Sequence, residues 1–306
     1  TMINHISKLA IIFCSLVLAA VSVSSVAADV LGKKPRHVWG GPSSVVNDQA
    51  IAKMIWAPGL DDGYVPQGIT VTEGSVLISG YQSTNPKVDQ GPCRVFKVDI
   101  KTGEYTGQFD LPEDCGHAGG LVYIGKGVLV VSDTRRLYKI DMKTAFQDGN
   151  TKNALLGLVR LGGELKSSFV DFDGTSIFIG SSEKDASKAK GFFLPVSIFE
   201  AYNGKSIKED VALRGFPIAA EAQGAAFDKQ GSLWMTFSSS KYGQLQKVDS
   251  NSGKVLAQHE MVIGIEDIGF DEDGRLWSVS EAGSLRWSKW SKTFPVVFQM
   301  DVTKLK

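Results

Sequence analysis

Several side chains able to do chemistry fall at matching places in a segment that this chain repeats. Gln67, Ser168, Gln223 and Glu266 occupy one such place, with Gly119 as its fifth member. His117 and Glu221 stand two residues before it in their own copies, and Asp267 follows Glu266. Amides and hydroxyls grouped in this way would hydrogen-bond a small polar ligand. An imidazole with the carboxylates of Glu221 and Glu266 is a donor set for a divalent cation, calcium or zinc, and a metal-bound water would hydrolyse an ester or lactone. Without a metal, His117 could serve as a general base beside Glu266. The plainer alternative is a histidine hydrogen-bonded to a neighbour in a polar, water-filled interior, because these residues share no local ligand spacing. The chain has no Gly-x-Ser-x-Gly elbow, phosphate-binding loop, dinucleotide fingerprint or metalloprotease helix motif.

What must bring these residues together is the repeat itself. Five times the chain reads as a short apolar stretch, a tight turn, an apolar strand, a loop, a strand ending in Asp or a like residue, and a further strand. The opening turns are Glu73-Gly74, Gly125-Lys126-Gly127, Asp173-Gly174, Gln230-Gly231 and Asp273-Gly274. A spacing of about 43 to 57 residues with this content predicts β-propeller blades, four strands each around a central channel. The expected fold is therefore all-β: five four-stranded blades, with six the rival count. The fifth repeat runs out of chain before a fourth strand, and residues 51–57 have the length and polarity of an outermost strand. A strand from the N-terminal side would close the ring and leave no open edge. The turn at 99–103 recurs at 249–253 and partly at 141–144. Its acids and hydroxyls resemble a calcium loop, but a recurring hairpin turn explains them.

The segments Pro66-Gln-Gly-Ile-Thr-Val, Gln223-Gly-Ala-Ala-Phe-Asp-Lys-Gln-Gly-Ser-Leu-Trp and Ile268-Gly-Phe-Asp-Glu-Asp-Gly-Arg-Leu-Trp resemble blade openings of a broad propeller superfamily. It includes NHL-repeat, SMP-30/gluconolactonase and strictosidine-synthase-like proteins. The resemblance implies the propeller fold. Its lactonase-type members have six blades and hold a divalent metal with Glu, Asn and Asp; the Asn ligands have no counterpart here, so the resemblance carries over no catalytic residue.

Loops on a rigid scaffold concentrate binding chemistry, and three long ones (80–92, 181–190 and 280–292) would open on one face. Tyr81 on the first and Trp287 on the third are aromatic candidates for a ligand contact. Trp287 and Trp290 lie among Arg286, Lys289 and Lys292, a basic aromatic patch suited to stacking on a sugar or nucleotide, or else to packing the loop onto the last blade. In the short second loop, Arg135 and Arg136 could clamp a carboxylate or phosphate, or pair with nearby acids.

Residues 1–28 read as a secretory signal peptide: Lys8, an apolar run over 9–21, and small residues before a cut at Asp29. Cys14 lies within it. The remaining cysteines, Cys93 and Cys115, would then face an oxidising compartment, periplasmic or extracellular, and are expected to form a disulfide. The mature part, 29–306, reads as one domain with no membrane span. Thirty-three acids balance thirty-three bases, so no global basic field draws the chain to nucleic acid. The expected partner is a small polar molecule at the channel mouth or, if the chain is a non-enzymatic scaffold, another exported protein.

Overall fold

The computed structural model describes residues 29–88 and 90–306; the segment expected to be a signal peptide, with Cys14, lies outside the described residues. Strands β1 (Val30–Leu31) and β2 (Ile51–Trp56) come first. Blade one is β3 (Tyr64–Thr72), β4 (Ser75–Gln82), β5 (Cys93–Asp99) and β6 (Tyr105–Asp110). Blade two is β7 (Gly120–Tyr123), β8 (Val128–Asp133), β9 (Arg136–Asp141), the helix α1 (Met142–Asp148) and β10 (Leu155–Leu161). Blade three begins with β11 (Phe169–Phe172), β12 (Ser176–Gly180) and β13 (Lys190–Pro195). The chain then passes through α2 (Ile198–Ala201), lays β14 (Ser206–Ile207) parallel to β10 on the edge of blade two, and returns to complete blade three with β15 (Arg214–Pro217). Blade four is β16 (Ala222–Phe227), β17 (Leu233–Ser238), β18 (Gly243–Val248) and β19 (Val255–Met261). Blade five is β20 (Ile265–Phe270), β21 (Leu276–Ser280) and β22 (Val296–Met300), and β2 pairs antiparallel with β22 as its fourth strand. The fold is an all-β, five-bladed propeller closed by an N-terminal strand.

The core divides into five apolar clusters, one at each seam between neighbouring blades. At the closing seam Ile55, Trp277, Val279 and Val297 from blade five pack on Ile69, Val76 and Ile78 from blade one, all essentially inaccessible to solvent. The Asp-x-x-Gly-x-Leu-Trp motif has a physical origin here. Asp271 accepts from the turn N–H groups of Asp273 and Arg275 and, through its other oxygen, from Trp277 Nε1 at 2.8 Å. Asp228 does the same for Gln230, Ser232 and Trp234. One carboxylate thus caps the turn and orients the seam-filling indole.

Five blades force the innermost strands close together. A Cβ on Gly120 would lie 2.4 Å from Val170 N, and one on Gly224 would lie 2.4 Å from the Cα of Asp267. Only glycine admits that approach. Asp267 fills the axis. Its carboxylate accepts from the N–H groups of Ile69 (3.3 Å), Leu121 (3.2 Å) and Ala225 (3.3 Å), so one side chain ties blade five to blades one, two and four. Asp171 repeats the device between blades three and four, accepting from Phe227 N at 2.7 Å.

One local expectation is corrected. Residues 141–144 do not form a hairpin turn but start α1, with Asp141 accepting from Thr144 N at 2.8 Å. In the two true turns Gly103 and Gly253 adopt positive φ (71° and 76°); Ala145 stands in the equivalent place, disfavours that conformation and lets the helix continue. The outer strand of blade three begins only at Arg214, because Glu209–Val211 coils into a 3₁₀ turn first. Among the described residues no helix is long and apolar enough to cross a membrane.

Candidate functional site

At the mouth of the channel lies a polar cavity of about 710 Å³, lined by Gln67, Tyr81, His117, Asp133, Arg136, Ser168, Ser182, Gln223, Glu266, Glu281, Arg286 and Trp287 among others. Two further clefts, of about 840 and 990 Å³, lie on the outer parts of blade one; neither gathers the inner-strand residues.

Backbone irregularity aims three of these side chains. The β3–β4 ladder slips between Pro66 and Ile69, the β16–β17 ladder between Ala222 and Gly224, and the β20–β21 ladder between Ile265 and Ile268. The residues left out of regular pairing include Gln67, Gln223 and Glu266. Bulges re-aim side chains at sheet ends in this way. Gln67 Nε2 donates to Pro66 O and to Glu281 Oε2, both at 3.0 Å. Gln223 Nε2 donates to Ser238 O at 3.2 Å. Ser168 Oγ accepts from Ser182 N at 2.9 Å. Gly119, the fifth member, carries no side chain because a Cβ there would sit 2.2 Å from Ser168 O.

The chemically loaded part is a pair of acids. Glu266 and Glu281 line the same cavity, near enough for each to influence the other's ionisation. Burial first, then the neighbouring charge of Glu281 and that of Asp267, push Glu266 well above the usual carboxylate range. Burial also pushes Glu281 up to about 7, opposed by the nearby Trp287 indole and by the bond from Gln67. Two carboxyls this near cannot both ionise without repulsion, so the pair holds a proton between them. None of the Lys or Arg ion pairs of the described residues involves either acid.

Opposite elements build the remaining wall. Asp133, at the end of β8, accepts from the N–H groups of Gly116 (3.3 Å), His117 (2.8 Å) and Ala118 (3.4 Å) and pairs with Arg136 at 3.5 Å. This wraps the 116–118 segment around one carboxylate and sets the His117 ring on Tyr81, with centroids 4.6 Å apart and planes 23° apart. Tyr81 OH bonds Arg286 Nη1, and the Arg286 guanidinium lies 4.3 Å from the Trp287 ring centroid.

The residues singled out from sequence divide accordingly. Gln67, Tyr81, His117, Arg135, Arg136, Ser168, Gln223, Glu266 and Trp287 all line the cavity. Arg135 spends its Nη1 on the carbonyls of Leu161, Gly163 and Leu165, and Arg136 pairs with Asp114 at 2.8 Å and with Asp133; pairing and capping account for both. Asp267 lies on the axis and is not among the lining residues. Glu221 adopts φ 59°, and its carboxylate accepts from Tyr242 OH at 2.8 Å, so it serves blade four's own loop and does not line the cavity. Trp290 stacks on Trp287 at 4.8 Å and packs over the turn at Gly264, as a loop-packing role requires.

The donor set His117, Glu221 and Glu266 is not brought together. Among the described residues, the one trio of metal-ligating groups that converges is Cys93, Cys115 and Asp133, all buried and within 4.8 Å of one another. The two cysteines stand as free thiols rather than as the expected bridge. Burial and the neighbouring thiol push Cys93 far above the usual range, which keeps it protonated and a poor metal ligand.

Glu281, Ser182 and Asp133 were not seen as one group from sequence. The available signal was the exits of the second strands, where Tyr81, Asp133, Ser182 and Glu281 fall; those exits face the starts of the first strands across the mouth.

No protein-family model matches the chain, and no curated protein matches it. Among solved structures, a hydrazine synthase from Kuenenia stuttgartiensis aligns at 14% identity with a TM-score of 0.42, over 71% of this chain and 55% of its own. The chain thus spans about half the length of that protein. A luciferin-regenerating enzyme aligns at 11% identity with a TM-score of 0.46, over 79% of this chain and 92% of its own. Likenesses this remote carry no argument about activity.

Proposed function

We propose that the chain is an exported propeller that binds a small polar molecule in the mouth cavity, and that the Glu266–Glu281 pair exchanges a proton with it. One observation carries the reading: two acids near enough to influence each other's ionisation, Glu266 and Glu281, line one preformed polar cavity. A purely structural channel gains nothing from this, since burying like-charged acids costs several kcal/mol unless they share a proton. A shared proton makes one acid a donor and the other an acceptor near neutral pH. The reaction class this suits is hydrolysis of a small ester or lactone. Glu281 as carboxylate takes a proton from a water attacking the carbonyl carbon, and Glu266 as carboxylic acid protonates the alkoxide as the acyl C–O bond breaks. No step is routed through a metal, because His117, Glu221 and Glu266 do not form a ligand set.

The test is turnover of a panel of short-chain esters and small lactones by the purified protein. Glu281→Gln and Glu266→Gln are each expected to lower kcat by about 10²–10⁴-fold with little change in KM. Turnover at the same rate in wild type and both variants refutes the acid–base role.

A further inference from the structure

Arg286 differs from the chain's other arginines in what its charge meets. Arg36, Arg94, Arg136 and Arg275 pair with carboxylates, Arg135 and Arg160 donate to backbone carbonyls at 2.7 Å, and Arg214, which is exposed to solvent, donates to Ser250 O. Arg286 is 7% exposed, yet no carboxylate lies within 4.0 Å of it among the described residues. Its Nη1 donates to Tyr81 OH, its Nη2 has only a long 3.4 Å contact to Pro86 O, and its buried Nε has no partner. A buried guanidinium without a counter-charge is expensive. It persists here on a loop that lines the cavity, flanked by the rings of Trp287 at 4.3 Å and Tyr81 at 5.3 Å.

The unspent edge is the Nε/Nη2 side, the fork that meets a carboxylate with two parallel hydrogen bonds. Aromatic rings beside the guanidinium suit a planar group lying in its plane better than a tetrahedral one. We propose that Arg286 anchors an anion subsite of the mouth cavity and takes the carboxylate of a small organic acid. The ligand displaces the Pro86 O contact, and its uncharged polar end reaches Gln67, Gln223 and the acid pair. This rests on the small-ligand reading above and adds the charge and chemical class of the ligand.

Calorimetric titration and thermal shift of the full chain test it with three probe sets, each up to about 10 mM, a range that reaches millimolar Kd values. The sets are small hydroxycarboxylates such as lactate and gluconate, their neutral amides, and inorganic phosphate. Hydroxycarboxylates are expected to bind at least about tenfold tighter than the amides, to lose that preference in Arg286→Met, and to keep part of it in Arg286→Lys, which retains the charge without the fork. The ligand-free Arg286→Met protein is expected to melt about 2–4 °C higher, since an uncompensated charge has gone; a lower melting temperature would mark the arginine as structural and overturn the proposal. Equal carboxylate binding by wild type and Arg286→Met also overturns it, as does binding of phosphate without carboxylates. Binding of the amides alone overturns the anion subsite and leaves the small-ligand reading standing. No binding by any set overturns both.

Discussion

Replacing Glu281 by Gln should change how stability depends on pH, in a direction set by the acid pair. Glu281 titrates near 4.5 when unfolded and at about 7 in the folded protein. Between those values the folded protein holds a proton that the unfolded chain has released, so stability falls as pH rises through the window. At 1.36 kcal/mol per pH unit that interval of about 2.5 corresponds to about 3 kcal/mol. Glu281 keeps some contact with solvent, which reduces this to about 2 kcal/mol. Gln is isosteric and can still bond Gln67, but it has no proton to lose. The wild type should therefore lose about 2 kcal/mol relative to Glu281→Gln between pH 4.5 and 8, a difference of roughly 4–8 °C in melting temperature. Glu266 titrates in both proteins; relief from its like-charged neighbour shifts it downward in the variant and widens the difference. Thermal unfolding followed by circular dichroism from pH 4 to 8.5 measures the two curves. Parallel curves across that range would mean that the acids do not share a proton, and the proton-exchange reading would go with them.

Three further outcomes follow from the same packing. Asp267→Ala leaves the N–H groups of Ile69, Leu121 and Ala225 without their acceptor, at about 1–3 kcal/mol for each unsatisfied group; urea unfolding should show a loss of at least about 3 kcal/mol, and a loss below about 1 kcal/mol would show that the axis does not depend on this carboxylate. Gly120→Ala places a methyl 2.4 Å from Val170 N, so it should cost more than about 3 kcal/mol or abolish soluble expression, and a melting temperature equal to the wild type would contradict the inner-ring packing. Cys93 and Cys115 are free thiols in the structure, but their sulfurs lie within 4.8 Å of each other. Exposure to a dithiol–disulfide oxidase, which takes two electrons as two protons leave, is therefore expected to join them by an S–S bond. Intact mass under non-reducing conditions should fall by two hydrogens and stability should rise by roughly 3 kcal/mol, whereas alkylation of both thiols in oxidised, unfolded protein would rule the bridge out.

The repeat made the fold legible because each blade states its own turn. Five Gly turns mark five hairpins, and the Asp that precedes two of them also fixes the seam indole. The missing fourth strand of the last blade and the apolar run at 51–57 together foretold the closure. Local departures were less visible. α1 differs from a hairpin turn by one residue, Ala145 where two other copies have Gly, and β15 begins only at Arg214 because a 3₁₀ turn intervenes. The site was half legible. Aligning the blades placed Gln67, Ser168, Gln223 and Glu266 in one column, and all four line the cavity. The column does not say where a side chain points. His117 and Glu221 share an alternation, yet one stacks on Tyr81 and the other turns to Tyr242. The cause is backbone: Glu221 itself takes φ 59°, while in blade two it is Ala118, one residue after the histidine, that takes φ 53°. Moving the left-handed residue by one position reverses which side chain enters the mouth, and residue type alone does not mark that choice. Glu281 eluded the alignment for a different reason. Its partner Glu266 lies on the preceding strand, but its hydrogen-bond donor Gln67 lies 214 residues away, and the two meet only because blade five closes against blade one. The bond from Gln67 to Glu281 is thus a product of ring closure. A variant that weakens the closing strand, such as Ile55→Asp in the buried seam, should loosen the Gln67–Glu281 bond and alter ligand binding at the mouth before the other blades unfold.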